Sequence, residues 1–175
     1  RPTGLCGSGL IDLLGELRRT EKINSCGRMT DDSDRFSLDA ENDVYLTEED
    51  ISQLAQAKAA NVAGLHLLHQ NYGIDFSDLD VFYLAGGFAR HIDLGHARRI
   101  GLIPDLPDER IVQVGNAALE GATLALLSVA AREEADQLVR SIEHVELETF
   151  PEFFHCFTDG AQFEPFQSRV TEAIV

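Results

Sequence analysis

The stretch that most constrains this chain is Asp80-Val81-Phe82-Tyr83-Leu84-Ala85-Gly86-Gly87-Phe88-Ala89. The residues from Val81 to Ala85 are all apolar or aromatic, with no alternation, and predict a strand buried on both faces. Gly86 and Gly87 then break the run. A glycine pair at the carboxyl end of a parallel strand lets the backbone turn sharply and lets a ligand approach with no Cβ in the way. In open α/β sheets, ligands bind beyond the carboxyl ends of the strands. The same residues also satisfy a tight strand-to-helix turn without a ligand, and both readings stand.

A second glycine-rich segment, Pro2-Thr3-Gly4-Leu5-Cys6-Gly7-Ser8-Gly9, precedes Leu10, Ile11, Leu13, Leu14 and Leu17 at helical spacing. A glycine loop leading into a helix offers free backbone N–H groups to an anion. Ser8 is the expected N-cap. No Lys follows the last glycine, so this is not a Walker loop, and a capped helix start with a tight entry turn fits equally. Cys6 has no His or second Cys near it in sequence and is expected to be a small buried hydrophobe.

The stretch from Ser25 to Asn42, with Gly27 and several Asp, reads as an exposed loop. Asp31, Asp32 and Asp34 lack the turn glycine and closing Glu of a calcium loop. Val44-Tyr45-Leu46 predicts a short strand, and Thr47-Glu48-Glu49-Asp50 a capping box opening a helix that runs to about Tyr72. Lys58 falls on or beside the apolar face of that helix, either as a phosphate or ribose contact or as a snorkelling side chain. His66 and His69 lack a third ligand and are expected to be satisfied or exposed. A short helix is expected to run through Ala97 and end before Gly101 and Pro104. Ile111-Val112-Gln113-Val114 reads as a second buried strand ending in Gly115, with Asn116 capping the next helix. That helix is small-sided (Ala117, Ala118, Gly121, Ala122, Ala125) and is expected to pack close to a neighbour. Residues Glu133 to Glu143 read as a further amphipathic helix, Val145-Glu146-Leu147 as an edge strand, and Phe153, Phe154 and Phe157 as packing anchors.

Charge and cysteine usage narrow the function classes. A net charge of −16 over 175 residues disfavours nucleic acid and anionic membrane surfaces. No apolar run approaches the ~20 residues of a membrane span. The three cysteines, Cys6, Cys26 and Cys156, form no Cys-x-x-Cys pair, which suits a reducing cytoplasm and argues against a metal site within this chain. The chain opens Arg1-Pro2-Thr3, with no visible signal peptide, and is expected to be a piece of a longer one.

Strands alternating with helices predict an α/β domain. Five stretches, taken in order, resemble one family. They are Gly4-Leu5-Cys6-Gly7-Ser8-Gly9-Leu10-Ile11-Asp12; Leu46-Thr47-x-x-Asp50-Ile51 leading to Ala57-Lys58-Ala59-Ala60; Leu84-Ala85-Gly86-Gly87-Phe88; Ala97-x-x-Ile100-Gly101-Leu102-Ile103-Pro104; and Val114-Gly115-Asn116-Ala117-Ala118 with Gly121-Ala122. Their order and spacing resemble the carboxyl-terminal domain of the reductive activators of corrinoid enzymes. Those proteins carry a [2Fe-2S] ferredoxin domain ahead of an actin-like ATPase module.

The resemblance implies an actin-like (ribonuclease H-like) ATPase lobe over residues 1–166, a mixed sheet flanked by helices, with a tail over 167–175 and a [2Fe-2S] domain upstream. It implies ATP-driven reduction of Co(II) to Co(I) in the corrinoid protein of a methyltransferase system, using ATP with Mg2+. On the same ground Gly7, Ser8, Gly9, Gly86, Gly87 and Phe88 line the nucleotide cleft, and Lys58 supplies a ribose or adenine contact. No catalytic residue is assigned, and the isolated chain is expected to be inactive. Where many relatives continue with Gly and Asn, this chain has Ala89-Arg90-His91; Arg90 is a fork donor for phosphate if it points into the cleft and has no role if it points out. A small-molecule kinase, an acyl-CoA dehydratase activator and a non-catalytic scaffold on the same fold remain alternatives, and a homodimer is left open.

Overall fold

The computed structural model describes residues 2–31 and 33–166. Asp32 and the tail expected over 167–175 lie outside the described residues. The first helix, α1 (Gly7–Arg19), buries Ile11, Leu14 and Leu17 on one face. Its N-cap is Cys6 and not Ser8, because Cys6 is the last residue with extended backbone. Ser8 lies within the first turn, 9% exposed, with its hydroxyl 3.4 Å from the Cys6 sulfur. Cys6 is exposed, contrary to the buried hydrophobe expected, because residues 2–5 bring the chain into α1 along the surface.

The region expected to be a loop contains β1 (Arg35–Asp39), which pairs antiparallel with β2 (Val44–Thr47). Only Phe36 and Leu38 mark this strand in a polar run, and both pack against the core. The Asp39 carboxylate closes the hairpin by accepting from the backbone N–H groups of Glu41 and Asn42 and from the Asn42 amide, which lowers its pKa. The predicted capping box opens α2 (Glu48–Tyr72), which ends at Tyr72 as expected, and Gly73 caps it in the left-handed conformation.

The parallel pair carries the functional argument. β3 (Phe82–Ala85) aligns with β4 (Ile111–Gly115), Phe82 opposite Ile111 and Ala85 opposite Gly115. The strand expected to be buried on both faces is covered on one only. Phe82 and Leu84 face the cluster that holds Leu14, Ile100, Ile103 and Ile111, whereas Tyr83 is 66% exposed. Among the described residues nothing lies over the Tyr83 face, so an unbroken apolar run produced an alternating pattern of burial. The mixed α/β architecture is thus distributed between two separate two-stranded sheets.

The short helix α3 (Leu94–Arg99) packs on α1, with Gly15 beneath His96. A Cβ on Gly15 would stand 2.4 Å from the His96 Cβ, so only glycine permits this approach. The helices α4 (Ala117–Leu127) and α5 (Val129–Ser141) pack on each other and bury no residue. The close packing expected for the small-sided face of α4 is not made among the described residues: beside α5 it buries no residue, and Gly121 faces open space. Small side chains permit close approach without supplying a partner. The expected edge strand at Val145–Leu147 is instead irregular chain running into a 3₁₀ turn, Leu147–Thr149, since no strand is available to pair with it. In α6 (Phe153–Gly160), Phe153 and Phe157 are half-buried with ring centroids 6.1 Å apart, while Phe154 is exposed and anchors nothing. Gly160 seats α6 against Ala59 and Val62 of α2.

Candidate functional site

A glycine follows β3 directly, and another ends β4. Gly86 takes φ +120° and donates its N–H to the Gly115 carbonyl at 2.6 Å, while Gly115 takes φ +69°. L-residues rarely adopt either conformation, so both turns depend on glycine. A Cβ placed on Gly86 or Gly87 would meet no atom within 4 Å, so the backbone here is open to an approaching group. Asn116 caps α4 by accepting from the Leu119 N–H at 3.1 Å, as its position after the strand implied.

The α1 N-terminus reaches this strand end through Phe88. A Cβ on Gly7 would lie 2.7 Å from Phe88 Cζ, so the ring rests directly on the Gly7 backbone while remaining 59% exposed. Of the sequence-predicted residues, Gly7 and Phe88 are therefore brought together. Gly86 and Gly87 immediately precede Phe88, and Ser8 and Gly9 follow Gly7 in the first turn of α1. First-turn N–H groups of a helix have no intrahelical acceptor and present a partial positive charge. At Cys6 the Ser8 hydroxyl, and then the Gly9 N–H, hold the thiol pKa below its ordinary value.

Two side chains that the sequence did not single out hold this arrangement. The Gln113 amide reaches back from β4 and donates to the carbonyls of Ala89 and, at 3.1 Å, Ile92, fixing the loop after Phe88. His96 stands among Asp12, Asp93 and Glu16 at 3.6–3.8 Å, and Asp12 accepts the Asp93 N–H at 3.0 Å. Together they tie α3 to α1. A Gln in an otherwise apolar strand was the one signal available for Gln113; His96 carried none.

Lys58 is engaged elsewhere. It is 2% exposed, and its ammonium donates to the carbonyls of Gly160 at 2.5 Å and Gln162 at 2.8 Å, above the Phe163 ring. Burial pulls its pKa down to about 8. A ribose or phosphate contact by Lys58 would first have to displace these two carbonyls. His66 and His69 stack on Phe166 and Phe76, at centroid distances of 4.3 and 3.4 Å. A surface cavity of about 430 Å³ lies by Phe76, Pro104, Arg110 and Phe166 and includes none of the glycine turns. The open glycines at the strand ends are not among its lining residues. Among the described residues no three His, Cys, Asp or Glu side chains converge to hold a metal ion, and no helix is long and apolar enough to cross a membrane.

A parallel strand pair with an open glycine turn after β3, joined to a glycine-led helix start, defines an α/β domain with backbone exposed at its strand ends. Residues 1–173 match the family model described as the C-terminal domain of RACo, the ASKHA domain, and the chain belongs to that family. It is similar to the corrinoid activation enzyme RamQ of Eubacterium limosum, 32% identical over 186 residues, covering 93% of this chain and 31% of the relative. It is also similar to the Co(II) methylated amine-specific corrinoid protein reductase of Methanosarcina barkeri, 28% identical over 136 residues, covering 73% of this chain and 25% of the relative. Among solved structures, the reductive activator for corrinoid, iron-sulfur protein aligns with a TM-score of 0.83 at 30% identity, covering 92% of this chain and 28% of that one. The chain therefore spans a third or less of the length of these relatives.

Proposed function

We propose that this chain is the carboxyl-terminal lobe, residues 1–166 with a tail over 167–175, of an ATP-dependent reductive activator of corrinoid proteins. The observation that carries the reading is the meeting of the open Gly86-Gly87 turn with the α1 start through the Phe88–Gly7 contact. The fit of a nucleotide rests on this cradle: no side chain fills the space beside Gly86 and Gly87, and first-turn N–H groups of α1 adjoin it. In the proposal Gly7, Ser8, Gly9, Gly86 and Gly87 offer backbone to the nucleotide, and Phe88 offers an apolar face. Lys58 clasps α6 to α2 and stays out of the cleft unless its carbonyl partners are displaced.

ATP bound with Mg2+ would supply the free energy for an uphill one-electron reduction of Co(II) to Co(I). The residues of this chain would bind and orient the nucleotide and couple its presence to docking of the corrinoid protein of a methyltransferase system. A [2Fe-2S] cluster does not fit here, since Cys6 and Cys26 are exposed, Cys156 is half-buried, and no three metal-ligating side chains converge among the described residues. The proposal assigns the cluster to an upstream domain of the same polypeptide, acting in the cytoplasm. Names of relatives that act on corrinoid proteins support the reading.

The test is reduction of a Co(II) corrinoid protein by the full-length encoded polypeptide, with and without ATP, followed by the cobalt absorption spectrum. The expected result is ATP-dependent appearance of Co(I), lost in Gly87→Phe while the melting transition is retained. Bound nucleotide without cobalt reduction would overturn the activator reading in favour of a kinase-like or scaffold role.

A further inference from the structure

We infer that Arg90 is a phosphate-contacting residue at the end of the β3–β4 pair; this rests on the nucleotide reading above and extends it to a residue outside the glycine turns. The side chain of Arg90 lies across Gly115. A Cβ on Gly115 would meet Arg90 Nε at 2.7 Å, Cδ at 3.2 Å and Cγ at 3.3 Å. Glycine at position 115 thus serves twice, permitting φ +69° and leaving room for the arginine stem. The Gly115 carbonyl in turn accepts the Gly86 N–H at 2.6 Å, so the arginine covers the point where the two glycine turns meet.

The backbone beneath Arg90 is fixed. Its neighbours Ala89 and Ile92 are 2% and 8% exposed, and both of their carbonyls receive the Gln113 amide. The guanidinium itself is uncommitted. Five other arginines have acceptors: Arg19 bonds Glu16, Arg28 bonds Glu48, Arg98 bonds Asp108, and Arg18 and Arg110 bond backbone carbonyls. Arg90 makes no hydrogen bond or ion pair among the described residues. In a chain of net charge −16, an unpaired arginine resting on a glycine turn at the strand ends meets an anion in the cleft with a planar fork of donors. Its anchored stem lowers the entropy lost on engagement.

The experiment measures binding of ADP and of adenosine, the latter by competition, to the full-length polypeptide and to Arg90→Gln and Arg90→Lys. The expected result is an ADP affinity weakened about tenfold in Arg90→Gln, as for loss of one charge-assisted fork. Arg90→Lys should recover part of it, and adenosine affinity should change by less than about twofold, since the nucleoside carries no charge for the fork. Unchanged ADP affinity in Arg90→Gln overturns the inference and leaves the nucleotide reading intact. Equal weakening of adenosine and ADP assigns Arg90 to the nucleoside or to the fold and also overturns it. A wild-type protein that binds neither ligand overturns the nucleotide reading itself, and the assignment of Arg90 falls with it.

Discussion

Phe88 rests on Gly7: the position a Cβ would take on Gly7 lies 2.7 Å from Phe88 Cζ and 2.9 Å from Cε2. Eighty-one positions apart in sequence, these two residues join the start of α1 to the turn that follows β3. The contact explains why residue 7 is a glycine although its backbone is ordinary helix. The pressure comes from the ring, not from φ.

Gly7→Ala is therefore expected to push the Phe88 ring aside with little loss of stability, because an exposed ring can swing away. Melting should move by no more than the equivalent of about 1 kcal/mol. ADP affinity should fall two- to tenfold, about the value of one well-placed aromatic contact. A titration of Gly7→Ala that matches wild type would remove Phe88 from the proposed site.

Gly101 and Gly73 separate two reasons for needing glycine. Both take left-handed backbone, at φ +67° and +65°. A Cβ on Gly73 would meet nothing within 4 Å, whereas one on Gly101 would lie 2.0 Å from the Glu164 carbonyl oxygen. Gly73→Ala should cost about 1 kcal/mol in a denaturant melt, and Gly101→Ala at least 2–4 kcal/mol because backbone must move as well. Equal losses would show that the approach of Glu164 does not matter.

The sequence revealed more of the local structure than of the packing. The capping box of Thr47 and Asp50 and the end of α2 before Gly73 are set by contacts within a few residues, so they were legible. The burial of β3 was misjudged because an apolar run reports what a strand can bury, not what lies over it; Tyr83 remains exposed. The same holds for α4, whose alanines and Gly121 imply close packing, whereas among the described residues it buries none of them. The glycine turns after β3 and at the end of β4 were legible because each is a local device. Gln113 and Arg90 acquire meaning only when β4 is set beside the loop after β3, a long-range pairing that no local pattern encodes.

Lys58 makes a pH prediction with a definite sign. Its pKa falls from 10.5 to about 8 because burial penalises the charged form. Between these values the unfolded chain binds the proton more tightly, so stability rises with pH through that window. Its contribution is fully present above 10.5 and lost as pH falls below about 8. The neutral amine still has N–H groups for the carbonyls of Gly160 and Gln162. Wild type should gain on the order of 3 kcal/mol relative to Lys58→Met between pH 8 and 10.5. Parallel stability curves for the two proteins across that range would refute it.

Gln113 tests whether the loop that carries Arg90 is held from β4. Gln113→Leu removes the donor and leaves the carbonyls of Ala89 and Ile92 without their partner, at a cost of about 1–3 kcal/mol. Gln113→Glu should be worse near neutral pH, because a carboxylate would face two carbonyl oxygens. That carboxyl would have a raised pKa in the folded state, since only its protonated form can donate. Its stabilising contribution is therefore present below the unfolded pKa and lost as pH rises through the folded value. Hydrogen exchange of residues 88–92 should quicken in both variants at pH 7, and Gln113→Glu should recover towards wild type as the solution is acidified. If Gln113→Glu matches wild type at pH 7, the amide does not hold the loop, and the fixed stem on which Arg90 depends is lost with it.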